Sequence, residues 1–348
     1  MKACVLISPK HIEIQEIPKP VLKEDEVLLK VISSGICVND VRDYKGSNWS
    51  YPRVGGHEYS AIIEEIGSSV TGFSPKDKVV AFITENCGFC KSCQEGHENI
   101  CENVLKSTKY YNKNGLSGFF GFSEYVAMPE RFLYKIPNGV TSIEAAFTEP
   151  LACVLNSIHR CNIQMGQDVV VIGAGVMGLL HVLCLKKKGA RVIISEPDAK
   201  RRNYALQLGA NLCIDPTIND PVTTIKEITN GYGADAVINT TAIPNVAQQA
   251  IEMTAKSGIC NMFSSIHPNT PILVDAGRLH SQEIYVTGTQ NGTKYTFKQA
   301  LDCIAKKIID VNPLIENIFD FYHIEDALEC ASRPETYKVI IQFSKEEF

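Results

Sequence analysis

No apolar run in this sequence reaches the roughly 18 residues that a membrane-spanning helix needs, so no membrane span is predicted. Positive charge is not in excess either: 34 Lys and Arg stand against 39 Asp and Glu, for a net charge of −5. That balance leaves no electrostatic footprint for nucleic acid or for an anionic membrane surface. The opening residues, MKACVLISPKHIEIQ, hold too short an apolar stretch for a signal peptide. Internal repeats, low-complexity tracts and long charge runs are absent as well. The cysteines do not read as a disulfide framework, because there are 13 of them and four crowd into one short segment. A reducing, cytoplasmic setting with metal ligation is the expectation. The remaining composition, 45% hydrophobic and 21% charged, is that of an ordinary globular protein, and 348 residues suffice for two domains.

What is present centres on DVVVIGAGVMGLLHVLCLKKKGARVIISE, residues 168–196. Asp168 to Ile172 is short, β-branched and almost wholly apolar, the pattern of a strand buried on both faces. The turn Gly173-Ala174-Gly175-Val176-Met177-Gly178 follows at once. Val176 to Lys188 reads as a helix that ends in three lysines before Gly189, which suits the helix dipole and the C-cap. A second strand, Arg191 to Ser195, ends on Glu196. This is the logic of a dinucleotide site. Gly173 permits the tight turn, Gly175 lets backbone approach a pyrophosphate, and Gly178 lets helix and strand pack closely. Val176 and Met177 begin the helix, whose free N–H groups and positive end suit phosphates. Glu196 is placed to accept both hydroxyls of an adenosine ribose, and its charge favours NAD over NADP. Arg201 and Arg202 keep NADP as the lesser reading.

Beyond residue 168, strands and helices alternate. Apolar strands at 212–214, 236–239, 258–263 and 283–287 bring the total to six, a doubly wound parallel sheet. Helices are expected near 198–208, 221–230, 245–256 and 296–309. Residues 1 to about 135 instead carry short β-like runs split by Pro, Gly, Asp and Asn, which predicts a β-barrel-like domain. The stretch from 135 to 165 reads as amphipathic helix, with Glu149 at its start and extended because Pro150 follows. The run from Lys338 to Phe343 is expected to return to the first domain.

Two sets of metal-ligand residues lie in the N-terminal region. Cys87, Cys90, Cys93 and Cys101 form C-x2-C-x2-C-x7-C, which can place four thiolates around one tetrahedral ion. Such a shell is closed and therefore structural; iron–sulfur ligation is the competing chemistry, and His97 is a bystander. Cys37, with Asn39 and Asp40 close by, precedes Gly56-His57-Glu58 by about twenty residues. A thiolate, an imidazole and carboxylates, with Glu149 as a further acid, suit a catalytic zinc.

These motifs resemble the zinc-containing medium-chain dehydrogenases, and in particular their polyol (sorbitol or iditol) branch. The resemblance spans nearly the whole chain and rests on SGIC at 34–37 with Asp40, GHE at 56–58, the four-cysteine lobe, EPLA at 149–152 and GAGVMG at 173–178. It implies an α/β protein with two parts. A GroES-like, β-rich catalytic domain would cover 1–155, completed by 296–348, and a Rossmann cofactor domain would cover 156–295. It implies Cys37 and His57 as catalytic-zinc ligands, with Glu58 and Glu149 completing the shell directly or through water. Two zinc ions per chain, NAD, a polyol-like substrate and a homo-oligomer, tetramer or dimer, also follow from it.

The sequence departs from the family pattern twice. Asn39 stands where members carry a Ser or Thr that passes the substrate proton onward, and an amide is not a comparable proton carrier. An arginine that sorbitol dehydrogenases offer near the last sheet strand is not evident in Gly288-Thr289-Gln290-Asn291-Gly292-Thr293-Lys294. Threonine, or a sugar or polyol phosphate, are therefore rival substrates, and Arg42, Lys45, Lys109 and Lys294 are the cations that could meet a phosphate. A non-catalytic NAD-binding redox sensor is the rival of a different class. A zinc-ribbon nucleic-acid binder fails, since the lobe has few basic residues.

Overall fold

The computed structural model describes residues 1–47, 51–104 and 115–344. The protein is α/β and divides into two compact units. The first takes the chain as far as Ala152 and again from Thr293 onward, and the second is Cys153–Gly292. Along the chain the strands are β1 (Lys2–Ser8), β2 (His11–Glu16), β3 (Glu26–Gly35), β4 (Arg53–Val54), β5 (Glu58–Ile66), β6 (Lys78–Ala81), β7 (Ser117–Gly118), β8 (Tyr125–Pro129) and β9 (Leu133–Lys135). They continue with β10 (Asp168–Ile172), β11 (Arg191–Ser195), β12 (Leu212–Ile214), β13 (Ala234–Asn239), β14 (Thr254–Met262), β15 (Tyr285–Gly288), β16 (Ile315–Asp320) and β17 (Lys338–Gln342).

In the first unit, a four-stranded sheet runs β2-β1-β4-β7, and a seven-stranded sheet runs β16-β17-β3-β5-β6-β9 with β8 also on β3. The long strand β3, EVLLKVISSG, is buried along almost its whole length. Its first half pairs with β8 and its second half with β17, so it is the spine of this unit. Gly35 at its end lies opposite Glu58 of β5 and Ile340 of β17. A segment from near the C-terminus thus sits beside β3, one of the two strands that border the candidate metal residues.

The second unit is one parallel sheet in the order β12-β11-β10-β13-β14-β15. Val169–Val171 and Val192–Ile194 have no solvent exposure, as strands covered by helices on both faces require. Chain order reverses between β10 and β13. In open sheets of this kind, ligands lie outside the carboxyl ends of the strands at that reversal. The predicted strand Asp168–Ile172, helix Val176–Lys188 and strand Arg191–Ser195 all form with those bounds.

Some expectations fail. The stretch from 135 to 165 contains two helices, Ser142–Ala146 and Thr148–Arg160, not one. Glu149 lies in the first turn of the second and is helical rather than extended. Pro150 falls within that first turn, where a missing N–H has no helical partner to lose. The buried face of Leu151, Ala152, Val154, Leu155 and Ile158 then sets the backbone against the usual bias before proline. The helix expected over 245–256 stops at Met253, and β14 begins at once with Thr254. Strands β4 and β7 are two residues each and leave no alternation to read, and the helix Ala276–Gln282 was not anticipated.

Candidate functional site

At the end of β3 the chain turns at Cys37 into the helix Val38–Tyr44. The Asp40 carboxylate accepts the Cys37 N–H at 2.9 Å and the Gly56 N–H at 3.0 Å, and so ties this helix to the segment before β5. Gly55 and Gly56 make the approach possible. A Cβ at Gly55 would come 2.8 Å from Asp40 Oδ1, and Gly56 has φ +80° with backbone 2.6 Å from where its Cβ would be. His57 and Glu58 follow, both buried. Ligand atoms of Cys37, His57 and Glu58 all fall within 4.8 Å of one another. Asp40 Oδ2 is 3.8 Å from His57 Nδ1, a second carboxylate behind the imidazole.

Lys338, which sequence reasoning missed, completes this cluster. Its Nζ is 2.5 Å from Glu58 Oε2 and donates to the Ile36 carbonyl at 3.2 Å, with both side chains almost fully buried. A Cβ at Gly35 would collide with Glu58 Oε2, so the glycine lets the carboxylate lie over β3 towards the lysine. The available signal was a lysine opening an otherwise apolar strand, KVIIQ. Burial opposes charge on Lys338, but Glu58 and Cys37 outweigh it and hold the ammonium charged. Burial likewise opposes charge on His57, yet Cys37 and Asp40 lift the imidazole well above its usual value. Burial pushes the Cys37 thiol up, with His57 drawing it partly back. A thiol, an imidazole and a carboxylate, with Asp40 behind and one ammonium beside them, make a donor set suited to a divalent cation, and three donors would leave a position open.

Glu149 acts electrostatically on both His57 and Lys338, but its carboxylate does not join the 4.8 Å group. Asn39 is exposed, and its Oδ1 accepts from Arg42 Nη1 at 3.3 Å.

The second cysteine set also converges. Sulfur separations are 3.6 Å for Cys87–Cys101, 3.8 Å for Cys90–Cys101 and 4.0 Å for Cys87–Cys93. Four thiolates around one ion with Zn–S bonds of about 2.3 Å stand about 3.8 Å apart, so the lobe has single-ion dimensions. A multi-iron cluster would spread its sulfurs further. Backbone N–H groups of Cys87 and Asn103 donate to Cys101 Sγ, and Cys90 N–H and Asn103 Nδ2 donate to Cys87 Sγ, at 3.3–3.4 Å. His97 is exposed and belongs to neither ligand group among the described residues.

In the second unit, Gly173 has φ +96°, and a Cβ on Gly178 would collide with its carbonyl oxygen. Those two glycines serve the fold. Gly175 is different: an added Cβ would meet only Arg201 Nη1, at 3.6 Å. The protein itself leaves room there, enough for something to approach the turn from outside. Val176 and Met177 open the helix above it. Glu196 is buried, with Oε2 accepting the Ala174 N–H at 2.8 Å and Oε1 the Asp198 N–H at 3.0 Å. The carboxylate is thereby fixed beside the turn, with lone pairs left on each oxygen. Arg202 is spent on Asp215 and on the carbonyls of Glu196 and Pro197, whereas Arg201 reaches over the turn.

Of the cations considered for a phosphate, Lys45 donates to the Ser332 carbonyl. Lys294 is half-buried with its Nζ 4.8 Å from the Phe132 ring centroid. Lys109 lies outside the described residues. No helix of the described residues is long and apolar enough to cross a membrane.

Comparison with known proteins accords with this arrangement. Residues 23–138 match the alcohol dehydrogenase GroES-like domain, and residues 176–306 match the zinc-binding dehydrogenase domain. The chain is 30% identical to a sorbitol dehydrogenase of Halalkalibacterium halodurans, over 95% of each protein. It is also 30% identical to an L-threonine 3-dehydrogenase of Caldanaerobacter subterraneus subsp. tengcongensis, over 94% of this chain and 93% of that one. A zinc-binding dehydrogenase of Sinorhizobium meliloti 1021, solved with NADP, superposes with a TM-score of 0.88 at 27% identity over 98% of both chains.

Proposed function

We propose, from the premise that the chain belongs to the zinc-containing medium-chain alcohol dehydrogenases, in the branch that holds the sorbitol dehydrogenases, that it oxidises a secondary alcohol of a polyol-like substrate to the ketone with NAD. The observation that carries this reading is the convergence of Cys37, His57 and Glu58 within 4.8 Å beside the buried Lys338. Three donors would hold a metal and leave a coordination position for substrate, where the four-thiolate lobe would leave none. Zinc held there would supply Lewis acidity towards a substrate hydroxyl, and a nicotinamide cofactor would supply the hydride acceptor.

The chain's own residues do the rest. Cys37 and His57 would hold the metal, with Glu58 or Glu149 as the exchangeable acid. Lys338 limits how far Glu58 can move, because leaving it unpaired in a buried place is costly. Asn39 can accept or donate a hydrogen bond to a substrate hydroxyl but carries no exchangeable acid, so the proton is passed to water. Alcohol and NAD⁺ thus become ketone, NADH and one proton. Cys87, Cys90, Cys93 and Cys101 would hold a second, structural zinc. Glu196 beside the turn and the engagement of Arg202 favour NAD over NADP. Assembly into a dimer or tetramer belongs to the same reading, supported by the exposed Tyr285 and Val286 on the edge strand β15.

The test is NAD and NADP reduction across sorbitol, xylitol, iditol, galactitol, their phosphates and threonine, with and without prior chelation. A chelator-sensitive rate with a polyol, abolished by Cys37→Ser while NADH binding persists, is the expected result. Threonine is the second candidate, on the strength of a relative equal in identity. A Cys37→Ser variant with full activity would overturn the site.

A further inference from the structure

The second unit buries a histidine that nothing in the reaction above uses. His181, on the glycine-turn helix, has no solvent exposure, nor do Ser157 and Asn261 beside it. His181 Nδ1 is 2.7 Å from the Met177 carbonyl, and Nε2 is 2.9 Å from Ser157 Oγ. Asn261 Nδ2 donates to Ser157 Oγ at 2.8 Å and to Thr289 Oγ1 at 2.9 Å, and the Thr289 hydroxyl donates to Asn261 Oδ1 at 3.1 Å.

Each proton in this chain has one place to be. A carbonyl only accepts, so Nδ1 carries the imidazole proton and Nε2 must accept. The Ser157 hydroxyl therefore donates to Nε2, and its oxygen is free to accept from the Asn261 amide. That fixes the amide orientation, which leaves Oδ1 for Thr289. Burial holds the imidazole neutral, with its pKa lowered to about 4, consistent with this order. Phe263 packs edge-on against the ring at 4.9 Å and 89°.

The two ends of the chain matter. Met177 is the second residue of the helix that opens at the glycine turn. Thr289 is the first residue beyond β15, and its N–H donates to the Met262 carbonyl at the end of β14. Sheet order gives these places a meaning. Glu196, at the end of β11, suits the adenosine ribose, and the turn after β10 suits the pyrophosphate. The nicotinamide half then falls across the reversal, outside the carboxyl ends of β13 to β15. Thr289 is half-buried there. The helix Thr148–Arg160 adds two further ties to the same segment: Asn156 Nδ2 donates to the Asn291 carbonyl at 2.7 Å, and Arg160 Nη2 to Thr287 Oγ1 at 3.1 Å. Packing alone does not call for a buried polar chain, since apolar groups of like shape would serve as well or better.

We propose that His181, Ser157, Asn261 and Thr289 form a positioning relay that ties the pyrophosphate turn to the strand ends receiving the nicotinamide, so that the second unit recognises a whole dinucleotide in preference to its ADP-ribose half. His181 acts through Ser157 and Asn261 and does not touch the cofactor. The inference rests on the dinucleotide reading given above.

The experiment measures dissociation constants for NADH and for ADP-ribose on full-length protein. Thr289→Val removes the hydroxyl at the half-buried end while keeping its shape, and Ser157→Ala cuts the chain in the middle. Both should weaken NADH by about tenfold, the scale of one lost hydrogen bond, and change ADP-ribose by less than about twofold. Thr289→Ser, which keeps the hydroxyl, should restore NADH binding. Equal loss of both ligands, or unchanged NADH affinity in a folded Thr289→Val protein, overturns the relay while leaving the dinucleotide site standing. Wild-type protein that binds neither ligand overturns the dinucleotide reading and the relay with it.

Discussion

Lys338 governs whether a buried Glu58 can be tolerated. A carboxylate in such a place costs several kcal/mol unless it is paired, and removing one partner of a buried pair typically costs about 3–5 kcal/mol. Lys338→Met should lower the unfolding free energy by about that amount in urea titration. The double variant with Glu58→Gln should lose less than the single, because no unpaired charge remains. Sequence reading found Cys37, His57 and Glu58 because glycines and neighbouring acids mark them locally. It missed Lys338 because the partner is 280 residues from Glu58, and the lysine that opens KVIIQ marks an unusual strand without saying what it pairs with. Asp40 was legible as a site member, but its hold on the N–H groups of Cys37 and Gly56 became visible only in three dimensions.

The glycine turn joins a motif to its element. Gly178 and Gly175 occupy one turn yet answer to different constraints. Gly178→Ala drives a Cβ into the Gly173 carbonyl, an overpacking that costs about 1–3 kcal/mol and should appear as a lower melting temperature. Gly175→Ala meets only the far end of Arg201, so stability should hold within about 0.5 kcal/mol while NADH binding falls. Thermal unfolding and a cofactor titration on the two variants separate the roles. Strands β10 and β11 and the helix between them were readable from short β-branched apolar runs, the glycine turn and the lysine–glycine helix end, because the middle of each strand is apolar and buried on two faces. The first turn of the helix Thr148–Arg160 was misread, because a local bias before proline gave way to the packing of Leu151 and its neighbours. Strands β4 and β7 escaped notice through brevity.

Along the chain, the contiguous stretch that forms the second unit interrupts the first, which is built from both ends. The second has its own sheet and its own core around Val170, Ile193, Val237 and Ile251. A fragment of residues 148–292 should therefore fold alone and bind NADH, as circular dichroism and fluorescence titration would check. A chain ending before Lys338 should lose the first unit, whose spine β3 has β17 as a neighbour. The α/β class and the doubly wound sheet were legible in the alternation of elements. The first unit's strand order was not, because pairings such as β17 with β3 join residues roughly 300 apart. The same topology sets a timetable during synthesis. At about 5–20 residues per second, roughly a quarter of a minute to a minute separates the making of Glu58 from that of Lys338. In that interval the entire second unit emerges, while Cys37, His57 and Glu58 wait without their ammonium. Any metal ion captured on the ribosome meets a more anionic and less enclosed nest than the finished protein offers.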